Sequence, residues 1–144
     1  MLKYPTHVAK EKWRNDLASK TTTVMLVDDE PDLLATTRMM LEKNGYQVHS
    51  FGMPDEALHH IKEQGCKACV LVVSDIRMPG MGGLELVRHI KEIRPETKVI
   101  LMSSFIIHMG EFENVSPPLI DSFVKKPFTT ADLVEAIKKC VKAL

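Results

Sequence analysis

Val24-Met25-Leu26-Val27-Asp28-Asp29-Glu30-Pro31 is the stretch that decides the fold. Four apolar residues without alternation suit a strand buried on both faces of a parallel sheet. They run directly into three carboxylates, and Pro31 then favours the first turn of a helix. The same juxtaposition of buried strand and polar residue recurs downstream. Val70-Leu71-Val72-Val73 leads into Ser74-Asp75, and Val99-Ile100-Leu101-Met102 leads into Ser103-Ser104. Tyr46-Gln47-Val48-His49-Ser50-Phe51 and Ser122-Phe123-Val124 read as two further strands, the second running into Lys125-Lys126-Pro127-Phe128.

Helical patterns lie between these runs. Leu33, Leu34, Thr37, Met40 and Leu41 fall on one face, and Asn44-Gly45 supplies a stop. Pro54-Asp55-Glu56 opens a second helix with an acidic first turn, which suits the helix dipole, and Gly65 closes it. Leu86, Val87, Ile90 and Ile93 form a third apolar stripe. Thr129-Thr130-Ala131-Asp132 resembles a capping box with Asp in its last position. It opens a final helix that turns Leu133, Val134, Ile137, Val141 and Leu144 inward. The alternation of strand and helix predicts the α/β class: a doubly wound five-stranded parallel sheet, (βα)5, with right-handed crossovers.

The whole chain has 144 residues, a length that suits one domain. It is 44% hydrophobic and 26% charged, with nineteen Lys and Arg against nineteen Asp and Glu. That balance argues against direct nucleic-acid binding through bulk positive charge. No apolar run reaches the length of a membrane span. Residues 1–22 hold five basic and two acidic groups, a balance of +3, leaving fourteen basic and seventeen acidic groups for 23–144. The first segment reads as a basic N-terminal extension ending in Ser19-Lys20-Thr21-Thr22-Thr23, and residues 23–144 as the folded domain. The first residues carry Lys3, Lys10, Glu11 and Lys12 without an apolar run, so no secretory signal is expected. Three cysteines point to a reducing, cytoplasmic setting.

In open parallel sheets, ligands bind beyond the carboxyl ends of the strands. Asp28, Asp29 and Asp75 would therefore crowd at one edge, facing Ser103 and Lys126. Crowded carboxylates raise one another's pKa unless a cation sits among them, and Mg²⁺ is the natural hard cation for oxygen ligands. A carboxylate there can also act as a nucleophile and form an aspartyl phosphate. The metal and Lys126 would neutralise the developing charge from two sides.

Four motifs in this order resemble the receiver domains of two-component response regulators, of the chemotaxis-regulator type. Asp28-Asp29 is similar to the acidic pair ending the first strand. Asp75-Ile76-Arg77-Met78-Pro79, with Gly83 downstream, is similar to the phosphoacceptor motif. Ser103 stands where the family has Thr or Ser, and Lys126-Pro127-Phe128 is similar to its lysine-proline signature. The resemblance covers residues 23–144 and implies a flavodoxin-like fold. It further implies that Asp75 accepts a phosphoryl group from a phosphohistidine on a sensor histidine kinase or phosphotransfer protein. Asp29, Asp75 and the backbone carbonyl of Arg77 would ligate Mg²⁺, with Asp28 assisting through water. Lys126 and Ser103 would contact the phosphoryl group, and Phe123 would be the switch aromatic.

The chain departs from the family pattern in four places. Ser103 lacks the methyl of the commoner threonine, Phe123 lacks a tyrosine hydroxyl, and Arg77 places a cation beside the acceptor. Residues 104–118 contain Gly110 and Pro117-Pro118, which predict an irregular or shortened fourth helix.

Other features have plainer readings. Cys66-Lys67-Ala68-Cys69 leads into a strand, so Cys69 reads as a buried residue and not as half of a redox or zinc pair. His59-His60 are adjacent and make a poor ligand pair. Met39, Met40 and Met78 read as packing, Lys125 as surface charge, and Asp28-Asp29 taken alone as helix caps. A phosphatase or phosphotransferase with an aspartyl nucleophile would want its two acids two residues apart after the first strand. A flavin module would want a Ser/Thr/Gly-rich first loop. The expectation is a signalling switch and not an enzyme, with self-phosphorylation and slow autodephosphorylation only. Its output would run through a downstream protein, a phosphorelay or a phosphorylation-dependent homodimer. No output domain is expected after Leu144.

Overall fold

The computed structural model describes residues 22–64, 69–104 and 119–142. Five strands, β1 (Thr23–Val27), β2 (Gln47–Phe51), β3 (Cys69–Asp75), β4 (Lys98–Ser103) and β5 (Ser122–Lys125), form one parallel sheet in the order β2-β1-β3-β4-β5. Four helices among the described residues flank it: α1 (Pro31–Lys43), α2 (Pro54–Gln64), α3 (Gly83–Ile93) and α4 (Thr130–Lys142). The sheet is the expected flavodoxin-like one. The irregular fourth helix expected over 104–118 falls on residues 105–118, outside the described residues, as do the extension over 1–21, Cys66 and Leu144.

The unbroken apolar runs have a simple consequence. In β1, Val24 and Leu26 face a layer with Leu41 of α1 and Leu133, Ala136 and Ile137 of α4. Met25 and Val27 face the other layer, with Ala57, Leu58 and Ile61 of α2 and Leu86, Val87 and Ile90 of α3. A strand covered on both faces is apolar along nearly all of its length, and here the buried polar residues Thr23, Ser74, Asp75 and Ser103 stand at strand ends. Each fully buried aliphatic side chain contributes about 1.5–3 kcal/mol by leaving water.

The helix ends follow their local chemistry. At the end of α1, Gly45 N–H donates to the Glu42 carbonyl and Tyr46 N–H to that of Leu41, both 3.1 Å. This is a Schellman stop, and Gly45 takes the positive φ of 90° that it requires. At α4 the capping box is reciprocal: Asp132 N–H donates to Thr129 Oγ1 (3.1 Å) and Thr129 N–H to Asp132 Oδ2 (3.0 Å).

Two packing expectations need correction, and one plainer alternative drops out. Met39 is 56% exposed, on the outer side of α1. Ile93 is 40% exposed, because it is the last residue of α3 and lies beyond the buried run Leu86, Val87, Ile90. The cap of α1 is Glu30, so neither Asp28 nor Asp29 caps that helix. Three other readings hold, while the side chain of Cys69 lies outside the described residues. Met78 packs into the α2–α3 layer, Lys125 is exposed, and His60 turns onto His49 (5.1 Å between ring centroids) and Phe51 (5.2 Å) while His59 is exposed.

At the N-terminal end of β4 and β5 the chain is held by Asp121. Its N–H donates to the Val99 carbonyl, and its Oδ2 accepts from Val99 N–H, both at 2.8 Å. Lys91 Nζ lies 3.4 Å and Lys98 Nζ 3.6 Å from the same carboxylate. Lys91 and Asp121 side chains are only 9% and 12% exposed, so this is an interior ion cluster.

Candidate functional site

The order β2-β1-β3 places the reversal of strand order between β1 and β3, and the crevice at their carboxyl ends is where such sheets bind ligands. Asp28 leaves β1 with its N–H on the Phe51 carbonyl (3.2 Å), continuing the ladder to β2. Its Oδ1 accepts the Glu30 N–H (3.0 Å), a local turn that fixes the carboxylate. Asp75 ends β3, and the next N–H, Ile76, donates to the Met102 carbonyl of β4 (3.1 Å). Ser74 Oγ donates to the Asp75 carbonyl (2.9 Å). Lys126 follows β5, with its N–H on the Ser103 carbonyl (2.8 Å), so Ser103 and Lys126 are tied through the backbone.

Gly83 explains how the acceptor loop closes. Its N–H donates to the Ile76 carbonyl (2.8 Å). A Cβ there would overlap the Asp75 carbonyl oxygen and lie 3.0 Å from Ile76 Cα. Only glycine lets α3 begin this close to the strand that carries Asp75.

The side chains converge. Lys126 Nζ donates to Asp28 Oδ2 at 3.0 Å, and lies 3.4 Å from Asp75 Oδ2 and 4.0 Å from Glu30 Oε1. Asp28, Glu30 and Asp75 bring carboxylate oxygens within 4.8 Å of one another. Asp28 is 1% exposed, and the Asp75 and Lys126 side chains 10% each. Burial pushes the Asp75 carboxyl above its usual range; the Lys126 charge opposes this, and the Asp28 charge adds to it. Burial works against the Lys126 charge, yet the hydrogen bond to Asp28 and the charges of Asp28 and Asp75 outweigh it and raise the ammonium above the usual lysine value. Among these four groups, three carboxylates share the Lys126 ammonium, a formal deficit of two positive charges. An all-oxygen donor set with that deficit fits a hard divalent cation.

Sequence reasoning selected Asp28, Asp75 and Lys126 correctly as neighbours. Ser103 is 3% exposed at the end of β4, one register step from them. Phe123, opposite Leu101, is half-buried against the α2–α3 layer. Asp29 is half-buried and Arg77 is exposed. Glu30 was missed. As a cap residue with no side-chain capping bond, it leaves its carboxylate for the pocket, and its spacing in the sequence does not signal this.

An acid cluster and a lysine at the switch point of a doubly wound sheet define a domain suited to holding an anion on a cation. The model of the response regulator receiver domain matches residues 24–138. The chain belongs to that family, a class of phosphorylation-controlled signalling switch. It is 31% identical over 120 residues to the response regulator receiver protein CpdR of Brucella abortus (strain 2308), covering 83% of this chain and 97% of that protein. It is 33% identical over 124 residues to the C4-dicarboxylate transport transcriptional regulatory protein DctD of Rhizobium meliloti (strain 1021), covering 84% of this chain but 25% of the relative. Against the sensor kinase CckA of Brucella abortus, identity is 31% and the match spans 13% of the relative. A CheY-like receiver domain protein from Methanospirillum hungatei JF-1 superposes with a TM-score of 0.74 at 27% identity, covering 85% of this chain and 94% of that one. The chemotaxis protein CheY4 of Vibrio cholerae superposes at 0.72 with 22% identity, covering 83% and 98% of the two chains, which speaks to the fold. Among the described residues no helix is long and apolar enough to cross a membrane.

Proposed function

We propose that Asp75 is the phosphoacceptor of this switch and that its donor is a phosphohistidine on a sensor histidine kinase or phosphotransfer protein. The observation that carries the reading is Lys126 Nζ, 3.0 Å from Asp28 and 3.4 Å from Asp75, in a pocket short of positive charge. Asp29, Asp75 and the Arg77 carbonyl would hold Mg²⁺ there, with Asp28 assisting through water, and the ion would supply charge neutralisation at the transferring phosphoryl group. The Asp75 carboxylate oxygen attacks phosphorus, the bond to the donor nitrogen breaks, and the imidazole leaves with the electron pair.

Asp28 and Lys126 orient that attack. Lys126 lies between the two aspartates and can follow the new phosphoryl oxygens as Asp75 loses its own charge. The Ser103 carbonyl already holds the Lys126 N–H, so movement at Lys126 is felt at the end of β4. The Ser103 hydroxyl would hydrogen-bond to the phosphoryl group, and Phe123 would move with it, a local charge event biasing a two-state element. Output would pass to a downstream protein, along a phosphorelay or to a second copy of the chain, in the cytoplasm. The domain acts as a switch, and self-phosphorylation with slow autodephosphorylation is its only chemistry.

The test is incubation with acetyl phosphate and Mg²⁺, then intact mass and peptide mapping. One phosphoryl group on the peptide carrying Asp75, absent from Asp75→Asn, is expected. Full labelling of that variant at a serine or histidine overturns the assignment.

A further inference from the structure

Glu30 stands at the mouth of the pocket with an uncommitted side chain. It is the cap residue of α1, at φ −88° and ψ 109°, but makes no side-chain capping bond. Its backbone is fully used: the N–H donates to Asp28 Oδ1 (3.0 Å) and the carbonyl accepts from Leu34 N–H (2.9 Å). The main chain is thus pinned, while the carboxylate, 66% exposed, is free to sweep the rim. In that arc it meets Lys126 Nζ at 4.0 Å and comes within 4.8 Å of the Asp28 and Asp75 carboxylates.

We propose that Glu30 is an additional, movable carboxylate of the cation site, paired with Lys126 in the metal-free domain and turned onto a hard divalent cation when one enters. This rests on the reading of Asp75 and its neighbours as the cation pocket. The physical case is one of charge and reach. Asp28 is buried and committed to Lys126 by its hydrogen bond, so it has little freedom to move toward an ion. Glu30 has a long, solvated side chain, and its contact with Lys126 at 4.0 Å is loose. An exposed pair of that kind is weak and easily exchanged. Turning Glu30 from the ammonium to the cation costs little, adds one oxygen ligand, and leaves Lys126 less shared and better able to follow a phosphoryl group.

Mg²⁺ alone is the probe, titrated into the 144-residue chain while the melting temperature is followed, since an ion that binds only the folded form raises it. Glu30→Gln keeps the size and the non-capping character of residue 30 but removes the charge. It should need a severalfold higher Mg²⁺ concentration for half of the stabilisation. Glu30→Asp keeps the charge but shortens the reach, and aspartate at a cap position turns onto the helix N–H groups. It should also lose affinity. Wild-type Mg²⁺ response in Glu30→Gln overturns the proposal. So does full affinity in Glu30→Asp, which would mean that residue 30 acts only through its field. Asp75→Asn separates the two levels. If it abolishes the Mg²⁺ response while Glu30→Gln leaves it intact, the pocket stands and the role of Glu30 falls. If Asp75→Asn responds to Mg²⁺ like wild type, the pocket reading itself fails, and the proposal fails with it.

Discussion

At the carboxyl ends of β1 and β3, three carboxylates share one ammonium; at the amino ends of β4 and β5, one carboxylate shares two. Both clusters are substantially buried, and both join elements far apart in the chain. Asp121 is closed: its carboxylate accepts a backbone N–H, its own N–H is used, and two lysines neutralise it. The Asp28–Asp75–Lys126 end is open. Its carboxylates outnumber its cations, and burial leaves Asp75 harder to ionise than an ordinary aspartate in spite of the lysine beside it. A buried cluster left short of counter-charge is a candidate receptor, whereas one with its partners in place has no such vacancy to fill.

That contrast breaks most visibly at the closed end. Asp121→Ala removes the partner of Val99 N–H and leaves Lys91 buried without a counter-charge, and should cost about 3 kcal/mol in urea denaturation. Mg²⁺ should not restore it. A loss below about 1 kcal/mol would show that this end is merely solvated.

Lys126→Met should cost less, about 2 kcal/mol, because Asp75 can respond to the lost ammonium by binding a proton. Here Mg²⁺ should recover part of the loss, since a divalent cation can take the place of the ammonium. Denaturation with and without Mg²⁺ checks this, and equal losses in both would equate the two ends.

Asp75→Asn should have the opposite sign. A carboxyl whose folded pKa lies above its unfolded value binds more protons in the folded state. Its stabilising form is therefore present at low pH and is lost as pH rises from the ordinary carboxylate range through the raised value. Without divalent cation, the variant should gain on wild type across that window and stay ahead at neutral pH. Melting temperatures over a pH series measure it, and a gap that narrows with rising pH would contradict it.

The smallest effect concerns Cys140. It is 5% exposed on α4, and burial, with the Asp121 charge adding to it, raises its thiol pKa. It should alkylate more slowly than a free surface thiol, as read by peptide mapping. Rapid labelling of the native protein would mean that α4 opens locally.

Much of this was legible in the sequence because the signals are local. Val24–Val27, Val70–Val73 and Val99–Met102 are short runs apolar at every position, which suits a doubly covered strand, and the residues after them fall at one edge. Asn44-Gly45 and Thr129–Asp132 specify their own turns. What sequence reasoning missed depends on direction. Glu30 was passed over because nothing in its spacing says that its side chain forgoes the cap. Ile93 keeps the helical period but outruns the layer it would pack on. Asp121 was invisible as an anchor because Lys91 and Lys98 reach it across three elements.

The central claim is that charge placed on Asp75 is transmitted through Lys126 to the ends of β4 and β5 and not to the closed end. Amide hydrogen exchange with Mg²⁺, with and without acetyl phosphate, tests it most directly. Peptides spanning residues 100–104 and 123–127 should change protection in wild type and not in Asp75→Asn, while the amides of Lys98 and Val99 stay as they were. Unchanged exchange at Ser103 and Lys126 in fully phosphorylated protein would contradict the account.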